Sequence, residues 1–144
     1  MSQIKRVVII YAPDDEIVQQ SAVTIKSIFI NEKYSVTIKQ ARDAHMPDFA
    51  GVDIVILGSK KENKKSIHSD FTEIVRALKG INLAGRIAGI FSFDTEETVD
   101  DFIKVLHDSD ITIFEKGLLI SDGKIDTKVI TDWVKQIITK YNKE

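Results

Sequence analysis

Apolar positions change their period several times along this chain. Val7-Val8-Ile9-Ile10 is an unbroken β-branched run inside Arg6 to Tyr11, as a strand buried on both faces requires. Val18, Ala22, Ile25 and Phe29 then recur at spacings of 4, 3 and 4, which is one face of a helix. From Ser35 to Gln40, Val36 and Ile38 alternate with polar neighbours, predicting an edge strand. Asp53-Ile54-Val55-Ile56-Leu57 is a second buried strand, ending at Gly58. Ile67, Phe71, Ile74, Val75 and Leu78 predict the next helix, stopped at Gly80. Arg86 to Phe91 reads as a third central strand, and Val99, Phe102, Ile103 and Leu106 as the helix after it. Ile111 to Phe114 is the next strand, resuming at Leu118 to Ile120. Asp126 is placed to cap a last helix with the face Val129, Trp133, Ile137 and Tyr141, flanked by Ile130, Val134 and Ile138.

Strand and helix alternate with short connections, so the strands should be parallel and joined by right-handed crossovers, with helices on both faces of one sheet. Ala41 to Gly51 is the longest irregular stretch; it replaces a helix or holds a very short one. No linker, repeat or low-complexity segment divides residues 1–144, which are expected to form a single α/β domain. In such open sheets ligands bind beyond the carboxyl ends of the strands, where strand order reverses. The loops Ala12 to Glu16, Gly58 to Lys65, and Ser92 to Thr95 should gather there.

Composition narrows the chemistry. A net charge of −2 argues against a general electrostatic grip on nucleic acid or anionic membrane. With no cysteine, disulfides, thiolate metal sites and thiol catalysis are excluded. Met1-Ser2-Gln3-Ile4-Lys5-Arg6 runs straight into a strand without a signal-peptide segment, and no stretch approaches the ~20 apolar residues of a membrane span, so a cytoplasmic location is expected. His45, His68 and His107 show no metal-ligand spacing, and His107 suits a helix C-terminus. Ser121-Asp122-Gly123-Lys124 is a turn signal and Trp133 a core residue. No Ser-His-Asp order and no nucleotide P-loop stands out.

The order of elements resembles a short-chain flavodoxin over nearly the whole chain. Gly51-Val52-Asp53-Ile54-Val55-Ile56-Leu57-Gly58-Ser59 is similar to that family's third strand and the start of its second flavin loop. Leu78-Lys79-Gly80-Ile81-Asn82-Leu83-Ala84-Gly85-Arg86-Ile87-Ala88 resembles a helix end and the entry to the fourth strand. Val99-Asp100-Asp101-Phe102 and Gly117-Leu118-Leu119-Ile120 sit where the fourth helix and the tail of the fifth strand lie. The resemblance implies a doubly wound three-layer sandwich with a five-stranded parallel sheet of order 2-1-3-4-5. It also implies an FMN-binding electron-transfer carrier that meets redox partner proteins. The implied cofactor-binding positions are Ala12, Pro13, Asp14, Asp15, Gly58, Ser59, Lys60, Lys61, Ser92, Phe93 and Asp94.

The three loops depart from the family pattern. The first flavodoxin loop is rich in Ser or Thr with a Gly, and its N–H groups and hydroxyls surround the phosphate. Here it reads Ala12-Pro13-Asp14-Asp15-Glu16, and Pro13 donates no N–H. These acids have two readings: a helix cap with a first-turn carboxylate, or a cation site of the Mg²⁺ type. A receiver domain also carries acids here, but it needs an aspartate where this chain has Gly58. The second loop has Lys60, Lys61, Lys64 and Lys65 and no aromatic residue to stack on a flavin ring. It reads as a solvated loop, as an anion or acidic-partner site with Lys60 or Lys61 gripping the phosphate, or as a lid pairing with the first-loop acids. Phe93 in the third loop either stacks on a ring or packs into the cleft. The competing functional reading is a degenerate domain that binds no flavin and serves as a protein-interaction or regulatory module.

Overall fold

The computed structural model describes residues 4–121 and 124–143. Met1-Ser2-Gln3 and, in the predicted 121–124 turn, Asp122 and Gly123 lie outside the described residues. The strands are β1 (Arg6–Ala12), β2 (Ser35–Gln40), β3 (Ile54–Ser59), β4 (Ile87–Phe93), β5 (Thr112–Ile113) and β6 (Leu118–Ile120). They pair in parallel in the order β2-β1-β3-β4-β5, and β6 also joins β4. The expected fifth strand is thus two short pieces on one neighbour: Thr112 aligns with Ile87, and Leu118 with Phe91. The indole N–H of Trp133 donates to the Lys116 carbonyl at 2.8 Å and holds the break between them.

Helices α1 (Glu16–Asn31), α2 (Thr72–Leu78), α3 (Glu97–Leu106) and α4 (Thr127–Lys143) cover the two faces. Val7, Ile9, Ile54, Ile56, Ile87 and Phe91 pack with α1 and α4. Val8, Ile10, Val55, Leu57, Ala88 and Ile90 pack with α2 and α3. The alternation follows from the two-residue period of a strand. Gly89 admits α4 closely: a β-carbon there would lie 2.5 Å from Ile137 Cδ1 and 3.1 Å from Trp133. Among the described residues, no helix is long and apolar enough to cross a membrane.

Two expected helix faces need correction. The α2 helix begins only at Thr72, after a 3₁₀ turn over Ser69–Phe71, so Ile67 and Phe71 precede it. The cause is local competition for backbone donors. The Ser59 hydroxyl accepts from His68 N–H at 2.9 Å, and His68 Nδ1 accepts from Asp70 N–H at 3.1 Å. On α4 the buried stripe is Ile130, Trp133, Val134 and Ile137, while Val129 is 49% exposed. A ladder of four-residue steps drifts about 40° per step around a helix of 3.6 residues per turn, so Val129 has wound off the face that Ile137 occupies. The Asp126 cap is present: its Oδ1 accepts from Lys128 and Val129 N–H. The stretch from Ala41 to Gly51 holds two short 3₁₀ turns, Ala41–Asp43 and Met46–Phe49.

Candidate functional site

The carboxyl ends of the central strands are in register. Ala12 aligns with Ser59, and Ser59 with Ser92, so the three expected loops leave the sheet side by side. Ala12 is buried, the Ala12–Pro13 peptide is cis, and the Ala12 carbonyl accepts from Lys60 N–H at 3.1 Å.

Asp15 is the N-cap of α1. Its Oδ1 accepts from Val18 N–H at 3.0 Å, and Glu16 follows in the first turn. The cap satisfies one of the free N–H groups at the helix start. The other carboxylate oxygen of Asp15 receives Lys60 Nζ at 2.9 Å. Asp14 lies 3.5 Å from the Arg42 guanidinium, and Lys61 Nζ lies 3.4 Å from Glu97. These three ion pairs follow the sheet order: Arg42 after β2 meets Asp14 after β1, Asp15 meets Lys60 after β3, and Lys61 meets Glu97 after β4. The loop rim is laced by charge. All six side chains are partly exposed, so each pair contributes only about 0.2–1 kcal/mol.

Beneath the rim, the hydroxyls are committed to the loops' own backbone. Ser59 and Ser92 are fully buried. Ser59 Oγ donates to the Lys60 carbonyl at 3.0 Å, and Ser92 Oγ donates to the Thr95 carbonyl at 2.6 Å. Gly58 points to the opposite face, under the Phe91 ring. Phe93 is the last residue of β4, not a loop residue; it is buried and packs edge-to-face with Phe91 at 6.1 Å. Asp94 follows it at φ 61°, its N–H donating to the Ile120 carbonyl at 3.1 Å.

The second loop is anchored at several points. Glu62 and Lys65 exchange backbone hydrogen bonds of 2.9 and 2.8 Å around Asn63. Ser66 Oγ donates to Asp101 on α3, and the Ser66 carbonyl accepts from Thr98 Oγ at 2.6 Å. His68 Nε2 lies 3.1 Å from Glu62. The Glu62 carboxyl is held below its usual range, first by its hydrogen bond with Ser69, with a smaller opposing effect of desolvation. Among the described residues, no group of three or more His, Cys, Asp or Glu is arranged to hold a metal ion, and Asp14 and Asp15 each face a cation.

Arg42 and Glu97 were not singled out in the sequence, although they complete the rim. The strand order carries the signal for Arg42, because in a 2-1-3 sheet the loop after β2 must border the loop after β1. Tyr11 belongs to the same corner. Burial and then the Asp14 charge push its phenol pKa up, against smaller effects of Gln40 and Arg42.

No known family profile matches the sequence, and no curated protein matches it. The fold has many solved counterparts. A flavodoxin from Streptococcus pneumoniae aligns with a TM-score of 0.83 at 16% identity, over 94% of this chain and 99% of that one. Flavodoxin 2 from Bacillus cereus aligns with a TM-score of 0.83 at 19% identity, again over 94% and 99%. A Fusobacterium nucleatum flavodoxin bound to flavin mononucleotide aligns with a TM-score of 0.76 at 12% identity, over 95% and 99%. The chain therefore has a flavodoxin-like fold.

Proposed function

We propose that this protein is a flavodoxin-like electron carrier that holds FMN at the carboxyl edge of β1, β3 and β4, with Lys60 as its phosphate grip. The observation that carries the reading is the position of Lys60. Its ammonium lies beside the N-cap of α1, 2.9 Å from Asp15, at the point where the strand order reverses. A phosphate at that helix start would meet an ammonium and the positive end of the helix dipole. Lys60 would have to exchange Asp15 for the phosphate, and the first-turn N–H that Asp15 caps would have to be released with it. Bound FMN supplies the redox chemistry, and the protein orients it and sets its electrostatic surroundings. A redox partner protein would then be the source or destination of the electrons.

Asp14 and Asp15 oppose this binding. Each carboxylate beside a phosphate costs on the order of 1–3 kcal/mol at intermediate screening. Asp15→Ser keeps a capping oxygen and removes the charge. It is expected to tighten FMN binding about tenfold or more, measured by quenching of flavin fluorescence. Unchanged affinity in Asp15→Ser would place the phosphate elsewhere.

A second reading is favoured by the closed rim itself. The Ser59 and Ser92 hydroxyls are used internally and Phe93 is in the core, as suits a domain that binds no flavin and works through protein contacts. The visible spectrum of freshly purified protein, followed by FMN titration, separates the two. A yellow preparation or saturable quenching supports the carrier. A colourless protein that leaves FMN fluorescence unchanged supports the interaction module.

A further inference from the structure

At the opposite end of the sheet, the amino ends of the strands and the end of α4 enclose a cavity of about 420 Å³. Its polar lining is donor-rich. Lys5, Arg86, Thr112 and Asn142 surround it with Tyr141 and Ile87, and among the described residues no carboxylate lines it. Lys5 Nζ donates to Asn142 Oδ1 at 2.8 Å and stands 5.0 Å from the centre of the Tyr141 ring. That hydrogen bond leaves the Asn142 amide group to donate. Arg86 Nε is buried with no hydrogen-bond partner among the described residues.

The nearby Asp53 carboxylate keeps its charge but is held by hydrogen bonds of its own. Asp53 lies in a second cavity, of about 730 Å³, which also includes Arg86. Its two oxygens accept from Arg6 N–H at 2.8 Å and from the Tyr141 hydroxyl at 2.7 Å. The negative end of α4 also faces this edge, and Lys140 and Lys143 in its last turn offset it. The Arg86 Nε nitrogen is shut off from the cavity, but Arg86 as a whole is only partly buried and borders it, so an anion there would meet the guanidinium charge.

We propose that this cavity binds the phosphoryl group of a small organic phosphate. A guanidinium fork, an ammonium, a hydroxyl and an amide meet a tetrahedral oxyanion from several directions, which a planar carboxylate uses less completely. The volume lies within the ~300–1,000 Å³ range of small-molecule sites, leaving space for an organic portion against Ile87 and the Tyr141 ring. The site is independent of the proposed flavin site. Strand β1, seven residues long, separates the two edges by roughly 20 Å at ~3.3 Å per residue.

The test is a titration of ¹⁵N-labelled protein with sodium phosphate, balanced with chloride at constant ionic strength. Saturable amide shifts are expected at Gly85, Ile87, Thr112 and Asn142. Arg86→Gln should weaken the binding about tenfold or more. Thr112→Val, which keeps the side-chain shape, should weaken it several-fold and guards against a misfolded Arg86 variant. An equal response to chloride would reduce the effect to screening and overturn the proposal. So would unchanged affinity in both variants, or shifts confined to Glu16, Ile17 and Val18, which would assign phosphate to the carboxyl edge instead.

Discussion

A β-carbon at Gly58 would stand 2.0 Å from Phe91 Cζ and 2.2 and 2.3 Å from the adjoining ring carbons. The ring is fully buried and cannot swing away as a surface side chain can. Gly58→Ala is expected to lower stability by about 2–3 kcal/mol through overpacking, read as a shift in the urea midpoint. Adding Phe91→Leu should recover part of the loss, a non-additivity expected only of touching residues. Asp15 separates two effects in the same way. Asp15→Ala removes both the cap and the Lys60 pair, whereas Asp15→Asn keeps a capping oxygen. Alanine should cost about 1 kcal/mol and asparagine only a few tenths. A loss of equal size in both would make the ion pair, not the cap, the larger contributor. The acids after β1 were readable as a cap because capping needs only neighbours in sequence. The partner of Asp14 was not readable, because Arg42 reaches it from another strand.

At the scale of elements, hydrogen bonds between loops and helices decide what hydrophobic period leaves open. Ser66 and its carbonyl join the second loop to Asp101 and Thr98 of α3. Ser66→Ala should speed amide exchange across residues 60–68 while changing global stability by no more than about 1–2 kcal/mol. Equal protection in wild type and variant would mean that the Glu62–Lys65 turn and the His68 contacts hold the loop alone. Strands β1, β3 and β4 were legible because burial on both faces forces continuous apolar runs. The α2 boundary was not legible, because Ile67 and Phe71 keep a helical spacing while side chains of Ser59 and His68 take the backbone donors. On α4, a period of four looked continuous, but the sheet selects the stripe through Ile130 and Ile137 and leaves Val129 exposed.

Over the whole molecule, all three tyrosines of the chain have phenols held above their ordinary pKa. Burial is the largest cause in each. Asp14 adds to it at Tyr11, Asp53 and Glu32 add to it at Tyr34, and the Asp53 hydrogen bond helps to push Tyr141 up to about 12. The folded chain therefore keeps these protons at a pH where the unfolded chain releases them. The resulting stability is fully present below about pH 10 and is lost as pH rises through the folded values. Ultraviolet titration of the native protein should show less than half of the phenols ionised at pH 10, with a midpoint near 10 restored in urea. Coincident native and urea curves would show that these phenols are solvated. Sequence by itself determined the alternation of elements, the parallel sheet, its order through the family likeness, and the capped start of α1, because period and local hydrogen bonding reside in neighbouring residues. Only the tertiary structure decided which charges lace the rim, that Phe93 belongs to the core, and that Arg86 borders a donor-lined cavity. Those facts depend on strand register and crossovers, which bring together side chains far apart in the chain.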